Sequence, residues 1–128
     1  MSKINIYLAA TYTDSEAIQF RNYTTEKYGT LFNLIDPKLY SESVNSDQIV
    51  ERDIANIKSC DILVAYIKEP TFGTCAEIPY AYINKKIIYV IQPNGKYLKD
   101  YWLKYHTTKF FKTVDECFEH ILNQLQQK

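Results

Sequence analysis

The sequence has no excess charge of either sign, because 15 lysine and arginine residues balance 15 aspartate and glutamate residues. Proteins that bind nucleic acid collect positive charge to neutralise phosphates, so we expect no nucleic acid polymer as a partner. Long apolar runs are missing too: residues 62–65 (ILVA) fall far short of the roughly 20 residues of a membrane helix. We therefore expect no membrane partner. Residues 1–6 also lack the features of a signal peptide, which favours a cytoplasmic protein.

Cysteine and histidine are scarce and form no metal-binding pattern. The three cysteines, Cys60, Cys75 and Cys117, contain no C-x-x-C pair, and the two histidines are His106 and His120. Zinc sites are built from such residues at short, regular spacings. We therefore expect no metal ion, and we interpret all three cysteines as small core residues.

Glycine is also scarce, with three residues in the whole chain, and no glycine-rich phosphate motif follows a predicted strand. The sequence lacks G-x-x-x-x-G-K-[ST] of triphosphate-binding loops and G-x-G-x-x-G of dinucleotide-binding folds. It also lacks G-x-S-x-G of Ser-His-Asp hydrolases. A phosphoacceptor receiver is excluded because apolar or aromatic residues follow the first and third strands. We expect no cofactor.

Short β-branched runs alternate with longer amphipathic runs, a pattern typical of βαβ units around a parallel sheet. The 128 residues suit one domain. The predicted strands are 4–9, 31–35, 62–67, 87–91 and 109–111, and the predicted helices are 14–28, 47–59, 74–84 and one that begins at 113. The sequence therefore predicts a doubly wound α/β fold, with five parallel strands and helices on both faces.

Tyrosine is abundant, with 12 residues, and part of it forms a regular pattern. Tyr97, Tyr101 and Tyr105 recur every four residues beside Trp102, and we call these four residues the aromatic stripe. Exposed on a monomer, the stripe would be a larger aromatic patch than soluble proteins usually carry. We expect it to pack at a subunit interface; the alternative is that it covers its own sheet.

Ligands of doubly wound folds bind beyond the carboxyl ends of the strands. In this chain that edge includes Ala10 and Tyr12 after the first strand, Asp36 after the second, and Thr71 and Gly73 after the third. We expect a binding site to draw on these five residues.

Two carboxyl groups near this edge could carry chemistry. Glu77 is predicted in the first turn of a helix, where the positive helix end keeps a carboxylate ionised and available as a nucleophile. Thr74 and Glu77 also fit a capping box, so a structural role stays open. Asp53 lies at the margin of an apolar helix face, where it either points into a cleft as a proton donor or is a solvated charge.

Three segments of the chain, two of which contain Asp53 and Glu77, resemble the nucleoside 2-deoxyribosyltransferase family. They are IYLAA (6–10), DIANIKSCDILVA (53–65) and GTCAEIPYA (73–81). The resemblance covers nearly the whole chain, and it implies that residues 1–128 form one compact, flavodoxin-like domain. It also implies a homo-oligomer that cleaves the N-glycosidic bond of 2'-deoxynucleosides and transfers the sugar to another free nucleobase. Glu77 would form the covalent deoxyribosyl ester, and Asp53 would protonate the leaving base. Tyr7, at the end of the first strand, would hold Glu77 in place.

The chain departs from the family at the position six residues before Glu77. Enzymes of free nucleosides tend to have aspartate there, whereas relatives that hydrolyse deoxynucleoside monophosphates tend to have a small hydroxyl residue; this chain has Thr71. We expect a deoxyribosyltransferase, with a 2'-deoxynucleoside 5'-monophosphate N-glycosidase as the first alternative. A nucleotide-binding module without turnover is the second alternative.

Overall fold

The computed structural model describes residues 3–11, 14–37 and 45–127. Within them, five parallel strands form one sheet in the order β2-β1-β3-β4-β5. The strands are β1 (Asn5–Ala9), β2 (Asn33–Ile35), β3 (Ile62–Tyr66), β4 (Ile87–Ile91) and β5 (Lys109–Phe111). The helices are α1 (Ser15–Tyr28), α2 (Ser46–Ser59), α3 (Phe72–Ile83), α4 (Tyr101–His106) and α5 (Val114–Gln126). The predicted doubly wound α/β fold is confirmed.

Side chains on each strand alternate between two apolar layers, as the pleat requires. Ile6 and Leu8 of β1 join the layer that contains residues of α1 and α5. Tyr7 and Ala9 face the opposite layer, together with residues of α2 and α3. Because both faces of the sheet are covered, the side chain of Tyr7 is fully buried.

Hydrogen-bonding side chains set the start of each helix. Asp14 caps α1, Asn45 forms a capping box with Gln48 at the start of α2, and Thr113 caps α5. Each cap satisfies backbone N–H groups that lack a partner within the helix. Helix α3 starts two residues earlier than predicted, because Thr71 provides its cap by accepting a hydrogen bond from the backbone of Thr74.

One interpretation of side-chain burial needs correction. Cys60 and Cys117 are buried, but Cys75 is exposed on α3, so the prediction of three core cysteines is wrong for Cys75. Its position lies outside the face of α3 that carries the buried Thr74 and Ile78.

Within the described part of the chain, no helix combines the length and apolar character needed to cross a membrane.

The aromatic stripe divides between two environments. Tyr97 packs against the apolar layer beneath α3, whereas Tyr101, Trp102 and Tyr105 on α4 are 87%, 80% and 68% exposed. Those three side chains do not cover their own sheet.

Candidate active site

Tyr7 lies in the middle of β1 rather than at the end that the sequence suggested. The ring is completely buried in the layer shared by α2 and α3. Its hydroxyl group donates a hydrogen bond to Oε2 of Glu77, 70 residues later in the chain. A phenol in a rigid sheet thus fixes the position of a carboxyl group on a separate helix.

Glu77 is the sixth residue of α3, in its second turn. It follows the buried Thr74 by three residues and precedes the buried Ala81 by four, which places it at the edge of the inward face. The capping box of Thr74 with Glu77 does not form, because Thr74 lies within the helix and Thr71 is the cap.

Asp53 approaches the same hydroxyl group from α2. It is half-buried, whereas Ile57, one turn later on α2, is fully buried. The hydroxyl group of Tyr7 also interacts with the carboxyl group of Asp53, and the negative charge of Asp53 opposes the ionisation of Glu77. The two carboxyl groups and the phenol therefore belong to one cluster, and Asp53 is not an isolated surface charge.

Burial controls the ionisation of both carboxyl groups. It raises the pKa of Glu77 to about 7, against the opposing hydrogen bond from Tyr7 and the charge of Arg21. Burial also raises the pKa of Asp53, against the hydrogen bond from Tyr7. The expectation that a helix terminus keeps Glu77 ionised is therefore wrong, because Glu77 lies beyond the first turn of α3 and desolvation raises its pKa.

Two predicted binding residues begin α3 beside this cluster. The hydroxyl oxygen of Thr71 accepts a hydrogen bond from the backbone N–H of Thr74 and lies 3.2 Å from the hydroxyl oxygen of Thr74. Gly73 is exposed in the first turn, and a Cβ atom there would meet no atom within 4 Å. The helix start is therefore open to a ligand.

The remaining predicted binding residues lie after β1 and β2. The carbonyl oxygen of Ala10 accepts a hydrogen bond from the guanidinium group of Arg21, and the buried carboxylate of Asp36 pairs with the same group at 2.9 Å. These two polar groups are thus already engaged inside the protein. Tyr12 falls outside the described residues.

Sequence reasoning missed Arg21, which is 2% exposed. The signal was present, because Ala17, Phe20, Thr24 and Tyr28 mark the buried face of α1 and Arg21 falls among them. A charged residue on an apolar helix face needs a buried partner, and Asp36 at the end of β2 is that partner.

No grouping of three His, Cys, Asp or Glu side chains suited to a metal ion occurs in residues 3–11, 14–37 and 45–127.

A separate, largely apolar cavity of about 310 Å³ lies between α3 and α4, lined by Ile78, Pro79, Trp102 and Leu103 among others. Because Glu77 is absent from its lining, the cavity is distinct from the carboxyl cluster.

Solved structures with a similar fold include two 2-deoxyribosyltransferases. The enzyme from Bacillus psychrosaccharolyticus is 18% identical, with a TM-score of 0.77 over 88% of this chain and 89% of that chain. The enzyme from Leishmania mexicana is 20% identical, with a TM-score of 0.71 over 94% of this chain and 97% of that chain. The fold is that of 2-deoxyribosyltransferases.

A third structure with this fold is the CMP N-glycosidase BcmB of Clostridium botulinum. It is 19% identical, with a TM-score of 0.65 over 91% of this chain and 97% of that chain. Neither the protein-family models nor the curated protein sequences contain a match to this chain.

The raised pKa of Glu77 predicts a specific effect of pH on stability. Between the ordinary value of 4.5 and the folded-state pKa of about 7, the folded protein holds a proton that the unfolded chain has lost. The free energy of unfolding therefore falls as pH rises through this window. Glu77→Gln should be more stable than the unsubstituted protein at pH 8, by roughly 1–3 kcal/mol, and the gap should close at pH 5. Urea unfolding at both pH values measures it.

The matched control is Glu119→Gln, which changes an exposed carboxyl group on α5. It should leave the difference between pH 5 and pH 8 unaltered. Equal stability of Glu77→Gln and the unsubstituted protein at pH 8 would contradict the assignment.

Proposed function

We propose that this protein cleaves the N-glycosidic bond of 2'-deoxynucleosides and transfers the deoxyribosyl group to another nucleobase. The observation that carries the proposal is the buried hydroxyl group of Tyr7, which holds Glu77 and also interacts with Asp53. Two carboxyl groups in one cleft, one nucleophilic and one acidic, are the equipment of retaining glycoside chemistry. The fold shared with two 2-deoxyribosyltransferases supports the same reaction.

In the first half of the reaction, the carboxylate of Glu77 attacks C1' and forms an ester with the sugar. The bond between C1' and the base nitrogen breaks, and its electron pair leaves with the base. Asp53 donates a proton to that base, so the leaving group departs neutral.

In the second half, a nitrogen atom of an incoming base attacks C1' and releases Glu77. Asp53 accepts the proton that this nitrogen loses, which restores the starting state. Tyr7 supports the carboxylate of Glu77 before attack and after release, because its hydrogen bond favours the charged form. Water as the acceptor instead of a base would give hydrolysis from the same ester.

A hydrolase of 2'-deoxynucleoside 5'-monophosphates is the second candidate, and Thr71 favours it. Threonine caps α3 without negative charge, so it does not repel a phosphate group as an aspartate would. The start of a helix offers backbone N–H groups to anions. The fold shared with a CMP N-glycosidase also supports a nucleotide substrate.

The nucleophile is tested by incubating the protein with deoxyinosine and adenine and following deoxyadenosine by chromatography. Glu77→Ala should abolish base exchange, because no other group is proposed to bond to C1'. Protein quenched during turnover should carry a deoxyribosyl group on the peptide that contains Glu77, as measured by mass spectrometry. Glu119→Ala is the control and should keep full activity. Half of the original rate in Glu77→Ala would rule out the ester mechanism.

The proton donor is tested by Asp53→Asn, which keeps the shape of the side chain but cannot deliver a proton. Cleavage of purine deoxynucleosides should slow by about 10²–10⁴-fold, the usual contribution of general acid catalysis. Nitrophenyl deoxyribosides should be affected much less, because their leaving group needs no proton. Asp47→Asn, an exposed change on the same helix, is the control. Equal losses on both substrates would mean that Asp53 orients the sugar instead.

The group at the 5' end of the sugar is tested at Thr71. We expect free deoxynucleosides to be preferred over monophosphates by a small margin. Thr71→Asp keeps a capping side chain but should suppress activity on monophosphates selectively, whereas Thr71→Ser should change neither activity. If the unsubstituted protein prefers monophosphates by about 100-fold, or about 2.7 kcal/mol, the result would favour the hydrolase over the transferase as the function of the protein.

The exposed part of the aromatic stripe supports a homo-oligomer. We propose that Tyr101, Trp102 and Tyr105 pack against a second copy of the chain, beside the cleft. Exposed aromatic side chains of this size are typical of interface centres. Light scattering at micromolar concentration should give a mass of at least two copies, and Trp102→Glu should lower it. A monomeric mass for the unsubstituted protein would exclude this interface.

A further inference from the structure

The guanidinium group of Arg21 joins two separate parts of the sheet edge. Its Nε atom donates to Oδ1 of Asp36 at 2.9 Å, just after β2. Its two terminal nitrogen atoms donate to the backbone carbonyl oxygens of Ala10 and Thr11, just after β1. All three nitrogen atoms of the planar fork are therefore used, in a geometry that a lysine ammonium group cannot reproduce.

Stability alone does not account for this arrangement. A buried ion pair loses the hydration of both charges, and a well-packed apolar residue of similar size often stabilises a fold equally well. The specific results of the pair are a fixed backbone after β1 and a permanent positive charge inside the protein. Both results concern the edge of the sheet beyond β1 and β2.

The charge of Arg21 acts on the candidate nucleophile. Three groups from three elements affect the ionisation of Glu77 besides burial itself: Tyr7 from β1, Asp53 from α2 and Arg21 from α1. Asp53 raises the pKa of Glu77, whereas Tyr7 and Arg21 lower it. Arg21 is the cation of this set.

We propose that Arg21, anchored by Asp36, is a positioning residue of the candidate active site: it fixes the backbone after β1 and holds a permanent positive charge inside the protein. The catalytic consequence rests on the proposed function. In that reaction Glu77 must be ionised before it attacks C1', and Arg21 favours the ionised form. Asp36 and Ala10 then serve the site through Arg21, not by direct contact with a substrate.

Two substitutions separate the charge of Arg21 from its geometry. Arg21→Lys keeps the charge but not the fork, and Arg21→Gln removes both. Lys109→Gln removes an exposed positive charge on β5 and is the control. The first readout is a carbon-13 NMR titration of the Glu77 carboxyl group in protein labelled at glutamate, with the signal assigned by its loss in Glu77→Gln.

The titration midpoint of Glu77 should move to higher pH in Arg21→Gln and stay near its original value in Arg21→Lys and Lys109→Gln. This readout needs no turnover, so it tests the inference even if the protein lacks deoxyribosyltransferase activity. An unchanged midpoint in a folded Arg21→Gln protein would overturn the electrostatic part of the inference and leave Arg21 a purely structural residue.

The second readout is steady-state kinetics with a deoxynucleoside. Arg21→Lys should raise KM about tenfold with a much smaller change in kcat, because small displacements of a binding wall weaken productive binding. The acid limb of the pH profile of kcat/KM should move to higher pH only in Arg21→Gln. If Arg21→Gln does not fold, Arg21→Lys alone decides: kinetics equal to those of the unsubstituted protein would overturn the positioning role.

Discussion

The hydrogen bond from Tyr7 to Glu77 connects the rigid part of this molecule to its candidate chemistry. Tyr7 is fully buried in the middle of β1, a strand paired on both sides, so its hydroxyl group has little freedom. Glu77 lies on α3, whose position relative to the sheet is set by apolar contacts such as that of Ile78. Burial favours the neutral acid of Glu77, and the hydrogen bond from Tyr7 opposes this effect by favouring the carboxylate. The position of Glu77 and its charge state thus depend on the same contact.

The carboxyl cluster lowers the free energy of unfolding when its groups are ionised. Glu77 and Asp53 both have a raised pKa, which means that their ionised forms are less stable here than in water. The apolar layer beneath them, which includes Ile57, Leu63 and Ile88, is fully or almost fully buried. Its burial offsets the unfavourable free energy of these charges.

Much of the fold could be predicted from the sequence because its elements follow simple periodic patterns. The apolar runs at β3 and β4 are typical of strands covered on both faces, and both were located within one residue. The start of α3 was misplaced, because Thr71 and Thr74 are both plausible caps and the pattern cannot choose between them. The packing of Thr74 against the sheet decides the choice, and that is a tertiary effect.

The residues of the candidate site could be selected from the sequence, but their electrostatics could not. Spacing and family resemblance selected Glu77, Asp53 and Tyr7, yet the helix argument gave the wrong direction for the pKa shift of Glu77. An ionisation state is a balance between desolvation and charges that come from distant parts of the chain, here from α1, α2 and β1. The sequence around Glu77 does not show which charged groups from distant parts of the chain lie near it. Arg21, 56 residues before Glu77, is one of these groups, and the fold has to be known before its charge can be weighed against desolvation.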